Sequence, residues 1–204
     1  VLEHSTGLPN WAKEPLVTSA APGSRYTYSG EAFIWLQLVV ETIMGTSLGS
    51  VMQAKLFGPA GMSHSSFGWD ETIAGSAVFG HSAPAEGEQT LPPQPTRELG
   101  DRLLRVATKW GKPIAFWAYE DSFAAMRETD PRTPPSTHDL LVNSAGGLLT
   151  TASDYAKFML LMMDGRERAT WEIGDAARRA MLTPQVDVRG RDIGSFVAEA
   201  GAAI

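Results

Sequence analysis

The run from Glu31 to Met44 constrains this chain most, because it is apolar on nearly every side: Phe33, Ile34, Trp35, Leu36, Leu38, Val39, Val40, Ile43 and Met44. Periodicity alone does not separate a buried strand from a buried helix in such a run, but its length exceeds that of an ordinary strand. The reading is a buried helix. Gly45 suits a left-handed residue that ends it. Thr46 or Ser47 then caps a second helix running to about Phe57, and Gly58-Pro59 stops that one.

Around this helical pair the chain is heavily punctuated. Gly7, Pro9, Asn10, Pro15, Pro22 and Gly23 punctuate Val1–Gly30, whose first residues are open to being the tail of a preceding helix and whose rest reads as surface loop. Short strands are expected around Phe67 and Val78, and a Gly/Pro/Glu-rich loop over 80–95. A helix is expected over Glu98–Gly111, where Leu99, Leu103, Leu104, Ala107 and Trp110 have helical spacing. Thr129–Pro135 reads as extended. Ser153 is placed to cap a helix through Phe158, Leu161 and Met162 to Gly165, with Asp154 at its positive end. A last helix covers about Trp171–Leu182, halted by Thr183-Pro184, and the tail 196–204 is small and apolar. With 43% hydrophobic and 20% charged residues in 204, there is apolar material for a core. The chain can be one domain or a large piece of a bigger one. Mostly helix with few strands, it reads as an α+β piece inserted between two halves of a sheet.

Several function classes drop out. A net charge of -6 without a basic cluster argues against nucleic acid as a partner. The absence of cysteine removes disulfides, thiolate metal sites and a thiol nucleophile. The four histidines are scattered rather than spaced as metal ligands. No apolar stretch approaches the length of a membrane span, and no signal-peptide pattern is visible. The opening Val1-Leu2-Glu3-His4 carries no initiator methionine, so the natural N-terminus is expected upstream.

Three blocks carry chemistry: Leu2-Glu3-His4-Ser5-Thr6-Gly7-Leu8-Pro9, Pro22-Gly23-Ser24-Arg25-Tyr26-Thr27-Tyr28-Ser29-Gly30, and Asn143-Ser144-Ala145-Gly146-Gly147 running into Ser153-Asp154. The second block puts Tyr28 in a turn at the mouth of the long helix, where a phenol can face a cleft. A phenol titrating near about pH 10 is a poor base unless a cation or hydrogen bond holds the phenolate. The Ala145-Gly146-Gly147 turn offers backbone that a ligand can approach closely. Gly45-Thr46-Ser47-Leu48-Gly49 also fits the nucleophile elbow of α/β-hydrolases, with His64, His81, His138, Asp70 and Asp139 downstream. That motif needs a strand before the serine. A helix precedes it here, so Ser47 reads as a cap. His4 reads as a structural loop residue, Glu86, Glu88, Glu120, Asp121 and Asp130 as surface charge, and the tryptophans as buried by default.

Together these blocks resemble the serine β-lactamases and penicillin-binding-protein-like hydrolases, most of all the class C β-lactamase and esterase branch. The resemblance implies a β-lactamase/transpeptidase-like α+β fold and acyl transfer to a serine, without metal or cofactor, from a small ester, β-lactam or peptide-like substrate. It implies Tyr28 as the proton-transfer residue, with Ser29, Gly30, Ser144, Ala145 and Gly146 lining the site. The family motif usually reads Tyr-x-Asn; Gly30 in the third place removes one amide-binding group, which favours an ester over a lactam or peptide.

The family nucleophile, Ser-x-x-Lys, is not in this sequence. Three residues before Lys13, Lys55, Lys109, Lys112 and Lys157 stand Asn10, Met52, Val106, Lys109 and Asp154. The Lys/His-x-Gly strand that closes such a pocket also has no match before Ile204. The expectation is therefore a partial domain over 1–204, largely helical, with a variable Pro/Gly-rich insertion at about 80–140. The nucleophile helix would lie before it and sheet strands after it. The isolated chain is expected to be inactive, and the parent protein periplasmic or extracellular. The alternative is a non-catalytic binding or scaffold module on the same fold.

Overall fold

The computed structural model describes residues 1–11, 15–78, 97–132, 134–163 and 173–185. In chain order come α1 (Gly30–Met44), α2 (Leu48–Met52, running on as a π-turn over Gln53–Phe57), α3 (Glu71–Ser76), α4 (Arg97–Trp110), α5 (Tyr119–Thr129), α6 (Ala152–Met163) and α7 (Asp175–Leu182). Single 3-10 turns lie at Ile114–Phe116 and Thr137–Asp139.

α1 starts and stops as its sequence demands. Ser29 is extended, and its Oγ accepts the Ala32 N–H at 2.9 Å. Gly45 takes φ 64°, the left-handed conformation that costs glycine little, and its N–H closes on Glu41 O. The expectation of a helix buried all round fails, however. One side is buried through Ala32, Ile34 and Gln37, while Trp35, Val39 and Ile43 point to solvent at four-residue spacing, Ile43 77% exposed. More apolar surface is present on α1 than the described residues cover.

The core lies under α2, α4 and the Ile114–Phe116 turn. Phe57, Trp69, Leu103, Ile114, Trp117 and Val142 form one buried cluster. α2 crosses the 3-10 turn so closely that a Cβ on Gly49 would run into the Ala115 carbonyl. Glu41 ties three elements together: one carboxylate oxygen accepts the Leu48 N–H at 2.9 Å and the Gln37 amide at 3.1 Å, the other the Tyr119 N–H at 3.0 Å. A carboxylate that takes backbone N–H groups at two helix starts also satisfies the positive end of each.

The expected strands do not form. Near Phe67 there is one antiparallel bridge, Ser66 to Leu149, with both N–H···O bonds at 2.9 Å. Val78 stands in no strand, and Glu71–Ser76 is helical, capped by Asp70, whose Oδ1 accepts the Ile73 N–H at 2.8 Å. The cap of α6 is Thr151 rather than Ser153: Thr151 Oγ1 accepts the Asp154 N–H at 3.2 Å. α7 begins at Asp175, and Trp171, the 80–95 loop and the 196–204 tail lie outside the described residues. Among the described residues no single helix is long and apolar enough to cross a membrane; only α1 and α2 taken together reach that length, and they are bent by 73°.

Asp154 is the strongest tertiary clamp. Its side chain is 1% exposed. It accepts the His64 N–H at 2.7 Å, Ser65 Oγ at 3.0 Å and Lys157 Nζ at 2.8 Å. Lys157 also reaches Gly61 O at 2.5 Å, so the Gly61–Ser65 turn is pinned to α6. The Lys157 ammonium above all, helped by the His64 and Ser65 donors, holds the carboxyl below the usual carboxylate range against the opposing effect of burial.

Candidate active site

The turn carrying Tyr28 is laced to the first ten residues. Thr27 N–H donates to His4 O at 2.6 Å, and Glu31 N–H to Asn10 O at 2.7 Å. Ser29 N–H donates to His4 Nδ1 at 3.1 Å, Ser29 Oγ–H to Pro9 O at 2.7 Å, and Gly30 N–H to Asn10 Oδ1 at 2.9 Å. Every one of these donors would otherwise be an orphan at or before the start of α1. The Tyr28 ring lies 4.4 Å from the His4 ring, tilted by 32°. Tyr26 meets the same imidazole edge-on at 5.7 Å, and Phe33 of α1 at 5.3 Å.

The third motif position has a steric reason to be glycine. A Cβ on Gly30 would come within 2.5 Å of the Trp11 indole. Trp11 in turn meets His138 edge-on at 4.9 Å. Ser29 and Gly30 are themselves buried, and their polar atoms serve the cap and the Asn10 contact. They can shape a neighbouring cleft without presenting groups to it.

The second turn sits on α1 a little further along. Ser144 N–H donates to Gln37 Oε1 at 3.0 Å and Ser144 Oγ–H to Phe33 O at 2.5 Å. Asn143 closes the turn on itself: Oδ1 accepts the Gly146 N–H at 2.7 Å, its backbone O accepts the Gly147 N–H at 2.9 Å, and its side-chain amide donates to Leu140 O. The two glycines differ. Gly146 has only Asn143 Oδ1 near a would-be Cβ, at 4.0 Å, whereas Gly147 is jammed against Leu141 O and the Asn143 backbone from 2.5 Å. Gly146 and Gly147 stand on the wall of a cleft of about 610 Å³ with Trp11, Arg102, Met126 and Leu140. Its size suits a small-molecule site.

The structure thus brings Tyr28, Ser29 and Gly30 to the start of α1 and docks Ser144 on its next two turns, with Ala145 and Gly146 following in the same turn. Tyr28 stands on the His4 side, and the cleft opens on the Trp11 side. Sequence reasoning passed over Asn10, Trp11 and Gln37, which hold both turns. Their only local signal was that polar Gln37 interrupts an apolar run.

The rival constellation does not assemble. Ser47 caps α2, its Oγ accepting the Ser50 N–H at 3.2 Å, and a helix precedes it. Asp70 is a helix cap, and His138 pairs with its neighbour Asp139 at 3.2 Å. His64 Nδ1 lies 3.1 Å from Ser63 Oγ, and His81 lies outside the described residues. No group of His, Cys, Asp and Glu among the described residues could hold a metal ion.

Comparison with known proteins fits this architecture. The model of the β-lactamase family matches residues 1–202, and the chain belongs to that family. In fold it is similar to the penicillin-binding protein of Bacillus halodurans, with a TM-score of 0.56 and 20% identity over 93% of this chain and 51% of that one. It is also similar to the octameric penicillin-binding protein homologue of Pyrococcus abyssi, with a TM-score of 0.53 and 19% identity over 92% of this chain and 38% of that one. The chain therefore spans about half or less of either structure's length. No curated protein matches it significantly.

Proposed function

We propose that this chain of the β-lactamase family is the helical part of a serine hydrolase that transfers an acyl group from a small ester or amide, with Tyr28 as its proton-transfer residue. The observation that carries this reading is the Tyr28 turn itself. Hydrogen bonds on both flanking peptide groups immobilise it at the start of α1, and the Ser144–Gly146 turn sits on the same helix. Immobilised geometry of this kind is what proton transfer in a transition state requires.

In the proposed reaction a serine hydroxyl, supplied from outside these residues, attacks the acyl carbonyl. Its proton passes by way of Tyr28 to the leaving alcohol or amine, and the acyl–oxygen or acyl–nitrogen bond breaks. Water then cleaves the acyl-serine ester, releasing the acid and restoring the hydroxyl. Ser29 and Gly30 hold the turn, and the Ser144–Gly146 turn borders the acyl group. The missing Cβ at Gly146 leaves that wall open, which favours a bulky acyl group. The solvent-facing Trp35, Val39 and Ile43 stripe supports a partial domain, since such a stripe is what a helix shows when its covering elements lie elsewhere. We place the parent protein in the periplasm or outside the cell, as its family resemblance suggests.

The test is Tyr28→Phe in the full-length gene product with a chromogenic ester. A fall in kcat/KM of about 10²–10⁴-fold at unchanged thermal midpoint is expected. An unchanged kcat/KM would remove Tyr28 from the chemistry. A second reading, a non-catalytic binding module, gains if the full-length gene carries no Ser-x-x-Lys upstream of these residues. Covalent labelling of the full-length protein by a fluorescent penicillin or phosphonate decides between the two.

A further inference from the structure

We infer that His4 is the positioning residue of the Tyr28 turn, and that it acts as a neutral imidazole with its proton on Nε2. The inference gains its catalytic meaning from the function proposed above, but its geometry stands alone. His4 grips the peptide groups on both sides of Tyr28. Its carbonyl accepts the Thr27 N–H at 2.6 Å, and its Nδ1 accepts the Ser29 N–H at 3.1 Å. Between those contacts its ring carries the Tyr28 ring at 4.4 Å, with Phe33 of α1 at 5.3 Å backing it. One residue, by its carbonyl and its imidazole together, thereby fixes the position, the flanking backbone and the ring tilt of the tyrosine.

The backbone of His4 is bent to this task. At φ 54° it is the one non-glycine residue with a positive φ among the described residues. Histidine tolerates that region better than most side chains, but the conformation persists only where surrounding contacts over-determine it. Here the conformation points carbonyl and imidazole toward the same turn.

Protonation breaks the arrangement. An imidazolium donates from both nitrogens, so Nδ1 cannot accept the Ser29 N–H, and two N–H groups would face each other. The titratable groups around the imidazole are Glu3 on its own segment, Tyr26 and Tyr28 on the turn, and Tyr155 of α6 across the adjoining cleft. α1 presents Phe33. Glu3 is engaged by Ser5 Oγ–H at 2.6 Å. Burial pushes the imidazole below its ordinary range. The turn therefore stays gripped at neutral pH and is released when the solution turns acid.

The test is an NMR titration of the uniformly labelled 204-residue chain from pH 8 to pH 5, alongside His4→Asn and His4→Phe. The asparagine variant keeps a side-chain acceptor and tolerates a positive φ; the phenylalanine variant keeps a ring and loses the acceptor. In the unmodified chain the Ser29 amide and the Tyr28 ring signals should move with the His4 titration, at a midpoint below about pH 6.5. That dependence should vanish in His4→Asn, and Ser29 amide exchange should quicken about 10-fold or more at neutral pH in His4→Phe. Ser29 and Tyr28 signals indifferent to the His4 titration would overturn the inference, and so would persistence of their pH dependence in His4→Asn. The unmodified chain supplies the first of these readouts even where a variant fails to fold. No substrate enters the experiment, so a fully active Tyr28→Phe enzyme would sink the proposed function and leave this result standing. In the active full-length protein, His4→Asn should flatten the acid limb of the kcat profile, which a purely structural role would not move.

Discussion

Two of the anchors that hold this chain's long-range turns are built from opposite materials. At the Tyr28 turn a neutral imidazole accepts one backbone N–H. At the Gly61–Ser65 turn the Asp154 carboxylate accepts a backbone N–H, a hydroxyl and an ammonium. A carboxylate with charge-assisted partners is about twice as strong an acceptor as a neutral group. The comparison teaches where the chain invests rigidity: the joint between α6 and the core is fixed by charge, while the turn proposed for catalysis is held by a group that neutral pH keeps in register.

The largest effect should come from breaking the charged anchor. Asp154→Ala leaves the His64 N–H and the Lys157 ammonium without their carboxylate, and Ser65 Oγ–H with Thr150 alone. A loss of about 2–4 kcal/mol in urea unfolding is expected. The Tyr28 ring signals should stay where they are, because the hydrogen bonds that define the two anchors share no residue. A loss under about 1 kcal/mol would mean that water replaces the carboxylate and that the two anchors are of similar weight.

Gly30→Ala sharpens the other side. At a helical position alanine normally gains up to about 1 kcal/mol over glycine. Here the new methyl would meet the Trp11 indole, and overpacking of that kind costs about 1–3 kcal/mol. Gly30→Ala should therefore destabilise, and pairing it with Trp11→Leu should recover part of the loss, a coupling read from the double-mutant cycle. A stabilised single variant would show Trp11 to be loose and the Tyr28 turn softer than its contacts suggest.

The same contrast explains what was legible in the sequence. α1 was readable because its signals are local: Ser29 before it, Gly45 after it, an unbroken apolar run between. The Tyr28 turn was found by motif, but its grip was not, since His4, Asn10 and Trp11 reach it only once the chain has folded back. α5 went unread. Its apolar Phe123, Ala125 and Met126 are diluted by charge, and its start depends on Asp121 reaching back to the Ala118 N–H at 2.7 Å. That carboxylate, taken for surface charge, also pairs with Lys112 at 2.6 Å. The strands around Phe67 and Val78 were overread because β-branched and aromatic residues imply pairing without naming a partner. Among the described residues only Leu149, far along the chain, offers one. The open side of α1 could not be read at all, because a sequence shows how much apolar surface exists and not how much is covered.

A smaller effect tests the rival serine. Ser47→Ala removes the cap of α2 and should cost about 1 kcal/mol, as helix caps do. Hydrolysis by the full-length protein should be unaffected. Activity lost at intact stability would restore Ser47 as a nucleophile and move the site away from both anchors.

The smallest effect separates the anchors by pH alone. Both groups have folded-state pKa values below their ordinary ones, so each contributes stability that is complete above its unfolded value and lost as pH falls through its folded value. For His4 the loss begins near about pH 6.5, where the unfolded chain first takes up the proton. For Asp154 it begins near about pH 3.9. Unfolding followed from pH 8 to pH 3 should therefore show a shallow decline below about 6.5, absent in His4→Asn. A steeper decline should follow below about 4, absent in Asp154→Asn. Between these ranges the chain should remain folded at α6 while the Tyr28 turn has let go of its imidazole. A single decline abolished by one variant alone would mean that the two turns share one anchor.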